Sequence, residues 1–143
     1  LQDFNNYRGN TMYKFIKFIT LALSLTVASV LAGETPQISQ QKLLESLKVA
    51  NNNIVILDVR SEDEYNQGHL IGAINISHKN IKANINQLEQ YKDSKVVVYC
   101  RSGRRAGIAE EILSSNGFND LHHLTGDMNG WLKAKLPVVQ KQP

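Results

Sequence analysis

From residue 39 onward, apolar residues switch repeatedly between helical and strand spacing. Leu43, Leu44 and Leu47 recur on one helical face behind Ser39, a side chain suited to an N-cap, and Asn51-Asn52-Asn53 closes that segment. Ile54-Val55-Ile56-Leu57 is an unbroken apolar run, rich in β-branched residues, and predicts a strand buried on both faces. Ser61-Glu62-Asp63-Glu64 has the form of a capping box, so a short helix starts there and stops near Gly68. Ala73-Ile74-Asn75-Ile76 predicts a short strand. Ser77 is then placed to cap a helix carrying Ile81, Ile85 and Leu88. Lys95-Val96-Val97-Val98-Tyr99 is the strongest strand signal in the chain. A helix follows from Arg105 to Ser115 with Ile108, Ala109, Ile112 and Leu113 inward, ended by Asn116-Gly117. A strand at residues 121–124 and a helix at residues 128–135, stopped by Pro137, complete the pattern.

Strands alternating with helices call for an α/β domain with a mainly parallel sheet and right-handed crossovers. In such sheets, sites form at the carboxyl ends of strands, and Cys100 stands directly after the strongest strand. The 143 residues suit one domain at about 100–200 residues each. With 42% hydrophobic residues the chain is too apolar to be disordered. A single cysteine excludes an intramolecular disulfide framework and multi-cysteine metal cages.

Residues 1–32 read as upstream sequence plus a secretory signal, and residues 33–143 as the folded domain. Met12 opens a short basic stretch, an uncharged run follows from Phe18 to Leu31, and Val30 and Ala32 suit a cleavage site. The run is short for a spanning helix and is broken by Thr20, Ser24, Thr26 and Ser29, so no stable membrane insertion is expected after cleavage. Glu34 stands where a lipidated cysteine would follow Leu31-Ala32-Gly33. The expected setting is outside the cytoplasm, periplasmic or secreted. The formal charge of +3 is mostly that of this segment: residues 1–33 carry +2 and the remainder +1. A domain so near neutrality offers no electrostatic footprint for nucleic acid.

One basic cluster remains, and it adjoins the cysteine. Cys100-Arg101-Ser102-Gly103-Arg104-Arg105-Ala106 leads from strand through a short loop into a helix. Backbone N–H groups of such a loop, together with the helix N-terminus, make an anion cradle with sulfur at its floor. Gly103 supplies the backbone freedom the turn needs. Electropositive surroundings favour a thiolate, and a thiolate is a nucleophile. A buried, inert cysteine would not be expected beside three arginines. Asp58, Arg60 and Glu64 read as an ion-pair network tying strand to helix, with Asp58 near enough to help orient the loop. His69 reads as a turn or packing residue and Trp131 as core. His122 and His123 are adjacent on a strand and face opposite ways, so they do not form a metal site.

The 100–105 segment resembles the active-site loop of single-domain rhodaneses, which carry Cys-x-x-Gly-x-Arg. Asp58-Val59-Arg60 with Glu64-Tyr65 resembles the family's first motif. Gly68-His69-Leu70-Ile71-Gly72-Ala73-Ile74-Asn75-Ile76 is similar to its Gly-His-Ile-x-Gly-Ala-x-Asn-Ile segment. Leu124-Thr125-Gly126-Asp127-Met128-Asn129-Gly130-Trp131 is similar to its Leu-x-Gly-Gly-x-x-x-Trp close, with Asp127 where the family has a glycine. The resemblance spans residues 36–139. It implies the rhodanese-like α/β fold and a sulfurtransferase, with no cofactor beyond a covalent persulfide on Cys100. It implies that Cys100 takes sulfane sulfur from a small anionic donor such as thiosulfate and passes it to cyanide or a thiol, including a protein thiol. Backbone N–H groups around Ser102, Gly103, Arg104, Arg105 and Ala106 would hold the terminal sulfur, with Arg101 and Arg105, and less firmly Arg104, binding the donor.

Two other classes compete. A cysteine-dependent phosphatase or arsenate reductase uses Cys-x5-Arg to embrace a tetrahedral oxyanion. Here Ala106 stands six places after Cys100 and Arg105 comes one place early. A non-catalytic rhodanese-like binding module dispenses with the nucleophile, which this chain keeps.

Overall fold

The structure is a computed structural model describing residues 34–140. The expected signal segment lies outside the described residues. Strands β1 (Gln37–Ile38), β2 (Ile54–Asp58), β3 (Ile74–Asn75), β4 (Lys95–Tyr99) and β5 (Leu121–Leu124) form one sheet in the order β1-β5-β4-β2-β3, every pair parallel. Helices α1 (Gln40–Leu47), α2 (Glu62–Gln67), α3 (Ile85–Leu88), α4 (Arg104–Ser115) and α5 (Asp127–Lys133) connect and flank them. Ser39 caps α1 by accepting the Lys42 N–H, and Ser61 with Glu64 forms the expected capping box on α2.

β4 is central, paired with β2 on one side and β5 on the other. That explains its continuous apolar run: both faces are covered. Its period-2 alternation sorts side chains between two cores. Val96, Val98 and Cys100 join Ile81, Leu88, Ala106, Ala109 and Leu113 on one face. Val97 and Tyr99 join Leu43, Leu70, Met128 and Trp131 on the other. The parity that buries Tyr99 in one core therefore delivers Cys100 to the face that α4 covers.

Two expectations are corrected, and one strand goes unforeseen. β1 escapes the pattern because two residues are too few to show a period; it pairs with β5 through Gln37 and Ile38. The helix expected after Ser77 is broken into a 3-10 turn (Lys82–Asn84), the four-residue α3, and a second 3-10 turn (Glu89–Tyr91). Ile81, not Ser77, occupies the first cap position. Asn84 is the reason: its amide donates to the Asn80 carbonyl at 2.8 Å and its backbone (φ −109°, ψ 15°) leaves the helical region. Ile81 and Leu88 are nonetheless buried where their spacing placed them. In α4, Ile108 is 40% exposed, and the inner face instead runs through Ala106, Ala109, Glu110 and Leu113.

A buried charge cluster locks the strand ends. Asp58 is fully buried, receives Arg60 Nη2 at 2.6 Å and accepts the Tyr99 hydroxyl at 2.6 Å. Arg60 Nη2 also donates to the Gly68 carbonyl at 2.7 Å, and the Leu70 N–H donates to the Tyr99 oxygen at 3.2 Å. Burial, with Asp58 alongside, holds the Tyr99 hydroxyl well above its ordinary range and so protonated as a donor. One cluster thus joins β2, β4 and the turn after α2. Asp58→Ala leaves the Arg60 guanidinium buried and unpaired; urea denaturation should show a loss of about 3–5 kcal/mol. A loss below about 1 kcal/mol, the range of an exposed ion pair, would contradict the cluster's role.

Candidate active site

The chain leaves β4 at Tyr99 and enters α4 at Arg104, so residues 100–103 make the whole turn. Gly103 carries φ +102°, a conformation that disfavours any side chain. A Cβ there would also stand 3.3 Å from Asp127 Oδ2. This turn brings the Gly103 N–H back to Cys100 Sγ at 3.1 Å. The first intrahelical bond of α4 runs from the Gly107 N–H to the Gly103 carbonyl. The N–H groups of Arg104, Arg105 and Ala106 therefore have no acceptor within the helix.

Cys100 is 1% exposed and lines a cavity of about 320 Å³ together with His78, Ser102, Arg104, Arg105 and Ile108. The exposed position of Ile108 has this use: it walls the cavity. Arg104 and Arg105 reach the cavity, whereas Arg101 is exposed and is not part of its lining. Ala106 is fully buried and can contribute only its backbone.

The expected network of Asp58, Arg60 and Glu64 divides in two. Asp58 and Arg60 belong to the β2–β4 cluster. Glu64 pairs instead with Arg105, Nη1 to Oε2 at 2.5 Å and Nη2 to Oε1 at 2.8 Å. The same Glu64 Oε2 accepts the Ser61 N–H in the cap of α2. One carboxylate thereby fastens the start of α2 to the first turn of α4. Its hydrogen bonds to Arg105 hold the Glu64 carboxyl down at about 2, and Glu64 holds Arg105 above its ordinary range.

A further group was not foreseen. Asp127, 3% exposed, accepts the Cys100 backbone N–H on Oδ1 at 2.8 Å. Its Oδ2 lies 3.1 Å from His123 Nε2, and His123 Nδ1 lies 2.7 Å from Glu110 Oε1. His122, on the opposite face, meets Asp120 at 2.7 Å and Lys95 at 2.9 Å. The departure at Asp127 and the strand parity of His123 were the available signals; the inner placement of Glu110 was not legible while Ile108 was assigned to that face. His69 stacks on Tyr65 with centroids 3.6 Å apart, and Trp131 is buried with Nε1 donating to the Pro137 carbonyl. Among the described residues, no group of three or more His, Cys, Asp and Glu side chains is arranged to hold a metal ion.

The family model of the Rhodanese-like domain matches residues 39–134. The chain belongs to the rhodanese-like family. The YibN protein of Escherichia coli K12 is 28% identical over 142 residues, spanning 98% of this chain and 99% of its own length. The E. coli thiosulfate sulfurtransferase PspE is 41% identical over 70 residues, 49% of this chain and 67% of PspE. A rhodanese-related protein of Thermoplasma volcanium superposes with a TM-score of 0.65 at 29% identity, covering 74% of this chain and 99% of that one. The parallel sheet and flanking helices are those of the rhodanese-like fold.

The Glu64–Arg105 pair has a definite acid signature. A carboxyl held at about 2 contributes stability that is present above its ordinary 4.5 and fades as pH falls through about 2. Both side chains are more than a quarter exposed, so the contribution is about 1 kcal/mol or less. Urea denaturation of wild type and Glu64→Gln at successive pH values should show a difference that is constant above 4.5 and vanishes toward about 2. A difference that persists unchanged at the acid end would contradict the pairing.

Proposed function

We propose that this rhodanese-like protein is a sulfurtransferase that takes sulfane sulfur from thiosulfate or a similar anion and carries it as a Cys100 persulfide. The observation that carries the reading is the meeting of Cys100 Sγ with the Gly103 N–H at the floor of a cavity reached by Arg104 and Arg105. The thiolate attacks the outer sulfur of thiosulfate. The S–S bond of the donor breaks, its electron pair leaves with sulfite, and Cys100 keeps the transferred sulfur as a persulfide anion. An acceptor thiolate then attacks that terminal sulfur, forming its own persulfide and returning Cys100 as thiolate; cyanide in the same role gives thiocyanate. Loop N–H groups meet the negative charge in each state.

Two geometric points favour sulfur over a phosphate ester. Only three residues separate Cys100 from α4, a turn suited to a single sulfur atom. Arg105 is engaged by Glu64 in a two-point pair, so it is not free to wrap a tetrahedral anion. Donor attraction therefore falls more to Arg104 than the sequence pattern implied. The retained nucleophile argues against a purely non-catalytic module.

The acceptor side is roomier. A polar cavity of about 720 Å³ shares His78 and Arg105 with the smaller one and is lined further by Asn66, Asn80, Asn84 and Gln87. Asn66 Oδ1 and His78 Nδ1 are buried without a hydrogen-bond partner among the described residues. Such a space exceeds the needs of cyanide and supports a thiol acceptor that bears polar groups. The signal pattern at residues 12–32 supports action outside the cytoplasm.

Cys100→Ser should abolish thiosulfate-dependent sulfur transfer, assayed as thiocyanate release, while the melting temperature stays near that of wild type. Arg104→Ala should raise the thiosulfate KM roughly threefold to tenfold, the cost of one exposed charge-assisted contact. Normal turnover in Cys100→Ser would overturn the mechanism.

A further inference from the structure

Glu110, His123 and Asp127 come from three elements and form a chain that ends on one backbone group. None of the three lines the cavity around Cys100 Sγ. Glu110 is 5% exposed and Asp127 3%, and the His123 side chain is 13% exposed. Burying ionisable groups is costly unless each is paired. Asp127 in addition holds φ +51°, an uncommon conformation for a residue with a side chain. The end of the chain is the N–H of Cys100 itself, held by Asp127 Oδ1 at 2.8 Å. The same turn grips the carbonyls: Met128 N–H donates to the Cys100 oxygen and Asn129 N–H to the Arg101 oxygen, each at 3.1 Å.

We propose that the chain from Glu110 through His123 to Asp127 is a positioning device for the catalytic loop, which fixes the backbone of Cys100 so that Sγ stays beneath the Gly103 N–H. The proposal rests on the reading of Cys100 as the sulfur-carrying nucleophile. Hydrogen-bond logic sets the protonation. Both ring nitrogens of His123 face carboxylate oxygens, so both act as donors only in the imidazolium form. Asp127 Oδ2 is then filled from His123, which leaves Oδ1 to the Cys100 N–H. Glu110 from α4 and Asp127 from α5 are the charged groups that face the ring among the described residues. Pro36, just before β1, offers its carbonyl to the His123 backbone, β4 sets Val98 beside it, and the loop presents Gly103, which has no side chain. Hydrogen bonds to Asp127 and then Glu110 raise His123 to about 10. The contribution of His123 to stability is therefore complete below its ordinary 6.5 and is lost as pH rises through about 10. The anchor holds at neutral pH and releases only in alkali.

The test compares Asp127→Ala, Asp127→Asn and Glu110→Gln by two readouts: the single-turnover rate of sulfur uptake from thiosulfate, and hydrogen exchange at the Cys100 and Gly103 amides. Asp127→Ala should slow saturated uptake about tenfold or more, with half-saturation by thiosulfate within about twofold, and should speed exchange at both amides. Asp127→Asn keeps an oxygen for the Cys100 N–H and should restore both readouts to within about threefold. Glu110→Gln removes one carboxylate from His123 and should move the alkaline decline of uptake to lower pH. Wild-type uptake and exchange in Asp127→Ala, or a lower melting temperature with an unchanged rate per folded molecule, would overturn the proposal. If Asp127→Ala does not fold, an unmoved alkaline limb in Glu110→Gln overturns it instead. Should wild type itself take up no sulfur, the sulfurtransferase reading fails, and exchange at Cys100 still decides whether Asp127 anchors the loop.

Discussion

The hydrogen bond from the Gly103 amide to Cys100 Sγ is the contact around which the rest of the site is arranged. It exists only if the chain reverses within four residues of the end of β4, and that reversal requires a backbone conformation natural to glycine. A turn so short cannot hold itself, and three polar clusters grip it. Asp58, Arg60 and Tyr99 fix the strand end just before it. Glu64 holds Arg105 just after it. Asp127 holds the Cys100 N–H directly. Each joins elements distant in sequence, so the accuracy of the loop comes from tertiary structure and little from the loop's own residues.

This explains what could and could not be read from the sequence. The strands at residues 54–58, 95–99 and 121–124 were legible because fully covered strands of a parallel sheet show as continuous apolar runs. The Ser39 cap, the Ser61–Glu64 capping box and the cysteine loop were legible because their chemistry lies within a few residues. β1 was not, since a two-residue edge strand has no period to detect. The segment after Ser77 kept its apolar spacing but not its helix, because asparagine side chains compete for the backbone. Partner choice was the least legible part. Glu64 was assigned to Asp58 and Arg60, yet its partner lies 41 residues on. Glu110 meets His123 13 residues on, and Asp127 meets Cys100 27 residues back; no local pattern encodes either contact.

The distribution of charge also gives a division of labour among three adjacent arginines. Arg105 is held by Glu64 and braces α2 against α4. Arg104 reaches the cavity, and in the proposed reaction its charge meets the incoming anion. Arg101 stands exposed outside the cavity lining, where its backbone carbonyl, bonded by Asn129, matters to the loop. Cationic residue count alone would have credited all three with the same task. In the proposed reaction, the two cavities that share His78 and Arg105 would serve its two halves, a small anion entering first and a larger acceptor second.

The central claim is that Cys100 carries sulfur covalently between those halves. Intact mass of the protein after incubation with thiosulfate, then after cyanide, tests it most directly. The account predicts a gain of one sulfur atom that maps to Cys100 and disappears on adding cyanide. An unchanged mass, with the Cys100 thiol shown to be reduced and reactive, would contradict it.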